Sequence, residues 1–119
     1  MTTIPFRSNS HHTIGIEVEL GLVDAGSMAL SSSYGALAET LPSRYGDRLK
    51  PELMQCVIEL NTDVCQTVGE AELDLREKLG VVERAADQLG LGLWWGATHP
   101  FSLWREQQVT PDERYRQLV

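Results

Sequence analysis

The sequence predicts an α+β fold, an antiparallel or mixed sheet covered on one face by helices. Three observations carry that expectation. In residues 13–23 (T-I-G-I-E-V-E-L-G-L-V) every even position from Ile14 to Leu22 is apolar, the period of a half-buried strand. Residues 68–89 place Val68, Ala71, Leu75, Leu79, Val82, Ala86 and Leu89 at helical spacing. Two further strand-like segments, 53–62 and 91–96, flank that helix. At 119 residues the chain suits a single domain, 1–119, burying about two-thirds of its unfolded surface.

Residues 1–12 read as a loose leader, in which the adjacent His11 and His12 would point to opposite faces of any strand. In the first strand, 13–23, Ile14, Ile16, Val18, Leu20 and Leu22 form one continuous apolar strip. The other face carries Thr13, Gly15, Glu17, Glu19 and Gly21. Asp24-Ala25-Gly26-Ser27 is a turn signal. The serines at 31–33 cap a short helix near 34–41, which Pro42 stops, and Ser43–Lys50 reads as a charged loop. In the second strand, 53–62, Cys56, Ile58 and Leu60 share the apolar side, while Val57, Glu59 and Asn61 face the other way.

Thr67 and Glu70 make a capping box before the long helix, and Gly90 closes it. Gly80 weakens its middle by about 1 kcal/mol relative to alanine. A third strand, 91–96, leads into Ala97-Thr98-His99-Pro100-Phe101. Pro111, Asp112 and Glu113 open a last helix. Unpaired sheet edges favour self-association, so a homodimer is expected.

Seventeen acids against ten Lys plus Arg give a net charge of −7. That balance argues against nucleic acid or an anionic membrane as the main partner. No apolar run approaches the ~20 residues of a membrane span, and no secretory signal precedes the first strand. The two cysteines, Cys56 and Cys65, are expected as reduced thiols of a cytoplasmic protein.

Glu17 and Glu19 share one strand face, and two carboxylates about 5 Å apart repel by about 3 kcal/mol at an effective dielectric of about 20. A wet surface, a retained proton or a bound cation would each relieve that repulsion. Glu59 adds a third acid from the second strand. Glu52 lies seven residues earlier, an odd spacing that a regular strand would send to the opposite face. It joins the others only if it precedes the strand or a bulge intervenes. Carboxylate oxygens in such a group suit a hard divalent cation such as magnesium, which shares its remaining ligands with water and phosphates. His99, Trp104 and Arg105 form a second group after the third strand, in the kind of loop that lines ligand pockets. A purely structural reading stands beside it, with His99 bonded to backbone and Trp94, Trp95 and Trp104 filling the core. No glycine-rich phosphate loop, HExxH site or nucleophile motif is present.

Four motifs give the chain a resemblance to the N-terminal portion of bacterial carboxylate–amine ligases of the glutamate–cysteine ligase type 2 family. They are T-I-G-I-E-V-E-L at 13–20, P-E-L-M-Q-C-V-I-E-L-N-T at 51–62, G-A-T-H-P-F at 96–101 with Trp104 and Gln107, and E-R-Y at 113–115. Where the family reads G-V-E-E-E-L, this chain has Val18 at the middle acid, on the apolar face. The resemblance implies a glutamine-synthetase-like catalytic fold with magnesium and ATP as cofactors. It implies activation of a glutamate side chain as an acyl phosphate, followed by attack of an amine such as that of cysteine. It further implies Glu17, Glu19, Glu52 and Glu59 as metal ligands, with His99 and Trp104 near the amino-acid substrate. Family members are about three times as long, so the chain alone is expected to be inactive. The competing expectation is a non-catalytic module that keeps the fold and binds divalent cations.

Overall fold

The computed structural model describes residues 4–118, and its centre is a four-stranded antiparallel sheet. The strands are β1 (Glu17–Asp24), β2 (Leu49–Pro51), β3 (Val57–Asn61) and β4 (Leu91–Trp94), in the order β2-β3-β1-β4. Every neighbouring pair is antiparallel, which removes the mixed-sheet alternative. Helix α1 (Tyr34–Thr40) and helix α2 (Val68–Gln88) are joined late in the chain by the short α3 (Glu113–Arg116).

Alternation in the strands separates two faces. Leu20 and Leu22 of β1, Ile58 and Leu60 of β3, Leu49 of β2 and Leu91 of β4 turn to one side. There they pack against Val82, Ala85 and Ala86 of α2 and Leu37 of α1. The opposite face of β1 and β3 carries Glu17 against Asn61 and Glu19 against Glu59. The apolar side is therefore the covered one, and the carboxylates lie on the open one.

Helix α2 starts at Thr67, whose hydroxyl accepts from the Glu70 backbone N–H at 3.1 Å, while the Glu70 carboxylate accepts from the Gln66 N–H. Gly90 (φ +67°) ends it in the left-handed region that glycine enters without a Cβ penalty. The buried stripe differs from the expected one. Val68 and Leu89, at the two ends of the expected stripe, are exposed, at 76% and 39%. Lys78, in contrast, is 2% exposed. Its ammonium donates to Asp74 one turn earlier and lies 3.6 Å from Asp63, so the charge enters the interior paired.

Four expected boundaries change, the third strand, expected over 91–96, ending already at Trp94. The first strand begins at Glu17 rather than 13; ahead of it only Ile14 makes a bridge, to Cys65. Ser43–Lys50 is not a loop, for Ser43–Arg48 forms a 3-10 turn and Leu49–Pro51 is the edge strand β2. The 53–62 strand shrinks to Val57–Asn61, since the preceding residues form the β2–β3 connection. Trp95 and Trp104 do not fill the core; they are 62% and 74% exposed. Both cysteines are free thiols and buried.

Candidate functional site

The β2–β3 hairpin brings Glu52 to the acid face. Lys50 pairs with Glu59 across the two strands, so Lys50 and Glu59 share a face. Glu52 follows Lys50 by two residues and keeps that face as the chain leaves β2. Its odd spacing from Glu59 is harmless, because Glu52 lies just past β2 whereas Glu59 lies in β3. One carboxylate oxygen each from Glu19, Glu52 and Glu59 lies within 4.8 Å of the others. Glu17 is not in this group; it stands two residues before Glu19, opposite Asn61.

Crowding shows in the ionisation of the group. The hydrogen bond shared with Glu59, together with burial and the charge of Glu19, pushes the Glu52 carboxyl up. Burial pushes Glu59 up as well, but hydrogen bonds from Glu52, Asn61 and Lys50 outweigh it and hold Glu59 below its usual range. Of the two, Glu52 is therefore the carboxyl that takes up a proton first as pH falls. Lys50 Nζ sits 3.1 Å from Glu59 Oε1. Asn61, 8% exposed, leaves its Oδ1 without a hydrogen-bond partner.

This donor set fits a small hard cation. Oxygens around a magnesium ion about 2.1 Å away lie roughly 3 to 4 Å apart, so rotation about the glutamate side chains is enough to close the group. Such an ion would offset the mutual repulsion of the three acids. Glu19 and Glu59 are fixed in direct register by the sheet, and Glu52 hangs from its edge, with its own carboxylate accepting from the Leu53 N–H at 3.1 Å.

The His99 loop adjoins this face. Trp94 ends β4 opposite Gly21, and its Cβ lies 3.2 Å from where a side chain at Gly21 would begin. A side chain at 21 would require the tryptophan to give by a few tenths of an ångström. Glu19, Gly21, Trp94 and His99 line a cavity of about 120 Å³. His99 Nε2 bonds the Met28 carbonyl oxygen at 2.9 Å, and its Nδ1 accepts from the Ser102 N–H at 3.0 Å. These two bonds fix the ring as a donor at Nε2 and an acceptor at Nδ1. Trp104 does not line this cavity and sits, 74% exposed, in a 3-10 turn, Trp104–Glu106. Sequence reasoning grouped His99 with Trp104; the structure puts His99 in the cavity wall and Trp104 in the turn that follows. It missed Lys50, although the alternation Lys50-Pro51-Glu52 was the available signal.

Comparison with known proteins agrees with the motifs. The description of glutamate–cysteine ligase family 2 matches residues 13–119. The chain belongs to that family. A relative from Rubrobacter xylanophilus, named as a candidate glutamate–cysteine ligase 2-1, is 43% identical over 93% of this chain. Relatives from Thermobifida fusca and Gloeobacter violaceus, each named as a candidate glutamate–cysteine ligase 2, are 39% and 38% identical over 98% of it. The chain spans about 30% of the length of the first two of these relatives and 32% of the third. Among the described residues no helix is long and apolar enough to cross a membrane.

Proposed function

We propose that the open sheet face is the cation-binding and nucleotide-binding side of an ATP-dependent carboxylate–amine ligase that forms a γ-glutamyl amide. The observation that carries this reading is the convergence of Glu19 of β1, Glu59 of β3 and Glu52 of the β2–β3 connection, within 4.8 Å. These three residues hold a divalent cation, magnesium being the best match to an all-carboxylate set. Glu17 lies beside them for a second contact. A bound cation supplies charge neutralisation to the transferred phosphoryl group. The chain's own residues orient and exclude: the sheet register fixes Glu19 against Glu59, and Trp94 and His99 wall the adjacent cavity, in which a small amino-acid portion fits. Trp104 contributes from its separate turn.

Lys50 is the only basic residue in an ion pair with an acid of that face among the described residues. Catalysis therefore belongs to the longer protein, and the 119 residues alone are expected to bind cation without turnover. Calorimetric titration with magnesium, then with magnesium–ATP, should give binding that a Glu19→Gln, Glu59→Gln double variant loses. Residues 13–119 grafted in place of the matching segment of the Rubrobacter relative should couple ATP hydrolysis to glutamate and cysteine. Glu19→Gln in that chimera should lower turnover more than about a hundredfold, the size of the several kcal/mol a metal's charge contributes. Magnesium binding unaffected by the double variant, or a chimera indifferent to Glu19, would refute the proposal.

A further inference from the structure

Lys50 occupies the acid face in a particular way. β2 places it directly opposite Glu59, and its ammonium lies 3.1 Å from Glu59 Oε1. The glutamate side chain is 6% exposed, whereas the lysine side chain retains 30%. One partner of the pair is thus fixed in the sheet, and the other reaches it from solvent on a flexible four-carbon stem. Glu17 and Glu59 both attract the ammonium, and Arg114 repels it.

The oxygens of Glu59 are the ones the acid group needs for a divalent ion. An ammonium and a divalent cation cannot both sit within bonding distance of one carboxylate without strong repulsion. Glu59 cannot withdraw, since it is held in β3 between Ile58 and Leu60, both fully buried. Lys50 can withdraw, because its stem has free rotation and its head already touches water. We propose that Lys50 is a displaceable counter-ion: its ammonium neutralises Glu59 while the acid group is empty and is expelled when a divalent cation enters. This rests on the cation-binding reading of the acid group. The ion pair then sets a threshold for metal entry, because every binding event must first break it.

The test uses manganese alone, titrated into the 119-residue chain with the free ion followed by electron paramagnetic resonance. Lys50→Met should bind manganese at least about tenfold more tightly than the wild type, the equivalent of losing one charge-assisted hydrogen bond as competitor. Lys50→Arg, which keeps a positive charge opposite Glu59, should stay close to the wild type. Equal or weaker binding by Lys50→Met with a retained circular-dichroism spectrum overturns the proposal, and so does Lys50→Arg binding as tightly as Lys50→Met. In the wild type, saturation with magnesium should shift the Lys50 side-chain NMR resonances towards those of a solvated lysine, a readout that needs no variant. Binding with those resonances unmoved sinks the counter-ion role and leaves the cation site standing. Absence of any binding by the wild type sinks both.

Discussion

Glu52 joins a favourable function to an unfavourable fold. Its carboxyl is pushed up by the hydrogen bond shared with Glu59, by burial and by Glu19, so ionising it at neutral pH costs stability in the empty site. Glu52→Gln keeps the shape and the accepting oxygen but removes the charge. At neutral pH this variant should be more stable than the wild type by up to about 1 kcal/mol, the scale of a relieved like-charge pair across strands. For a chain of this size that is a rise of roughly 3–5 °C in Tm. The same change should weaken magnesium binding, so stability and affinity move in opposite directions. Thermal melts of both proteins with and without magnesium check this; a Glu52→Gln chain that melts lower without the ion would contradict it. Glu19 and Glu59 were legible from alternation alone, because one period of two assigns a face. Glu52 was legible as a residue but not as a position, since its face depends on a hairpin that the strand pattern did not delimit.

Among the elements, the long helix was the best read and also held the least expected residue. The capping box at Thr67 and Glu70 and the closing glycine at 90 appear where the sequence put them. Lys78 was not foreseen, because a lysine within an apolar stripe reads as solvent-facing until its partners from outside the helix are known. Asp63 supplies one of them from the end of β3. The strand β2 was missed for a related reason: three residues ending in proline carry almost no periodic signal, and only pairing with β3 makes them a strand. Gly80 offers a direct experiment on α2. A Cβ built there meets only the end of the Arg84 side chain, at 3.3 Å, and that guanidinium is free to move. Gly80→Ala should therefore stabilise the chain by about 1 kcal/mol through helix propensity. Urea denaturation gives the answer, and a loss of stability would show that the Arg84 position is fixed by contacts that matter.

Across the whole molecule the acids divide into those that fasten the fold and those that burden it. Asp74 belongs to the first kind. Burial pushes its carboxyl up, but the Lys78 ammonium and the Asp63 backbone N–H hold it below its usual value. Glu59, bonded by Glu52, Asn61 and Lys50, is likewise held low. A group with a lowered folded-state pKa stabilises above its unfolded value, about 4, and loses that contribution as pH falls through the folded value. Glu52, held high, acts in reverse, and its protonation favours the folded chain as pH drops from neutral. The two effects together predict stability that is flat or slightly rising from pH 7 to about 5 and falls steeply below about 4. In Asp74→Asn the charge-assisted bonds from Lys78 and Asp63 are weakened at every pH. That variant should lose about 1–3 kcal/mol at neutral pH and show a flatter decline between pH 4 and 2. Urea midpoints measured across that range for both chains decide the matter, and a wild-type decline already steep between pH 7 and 5 would place the controlling groups elsewhere.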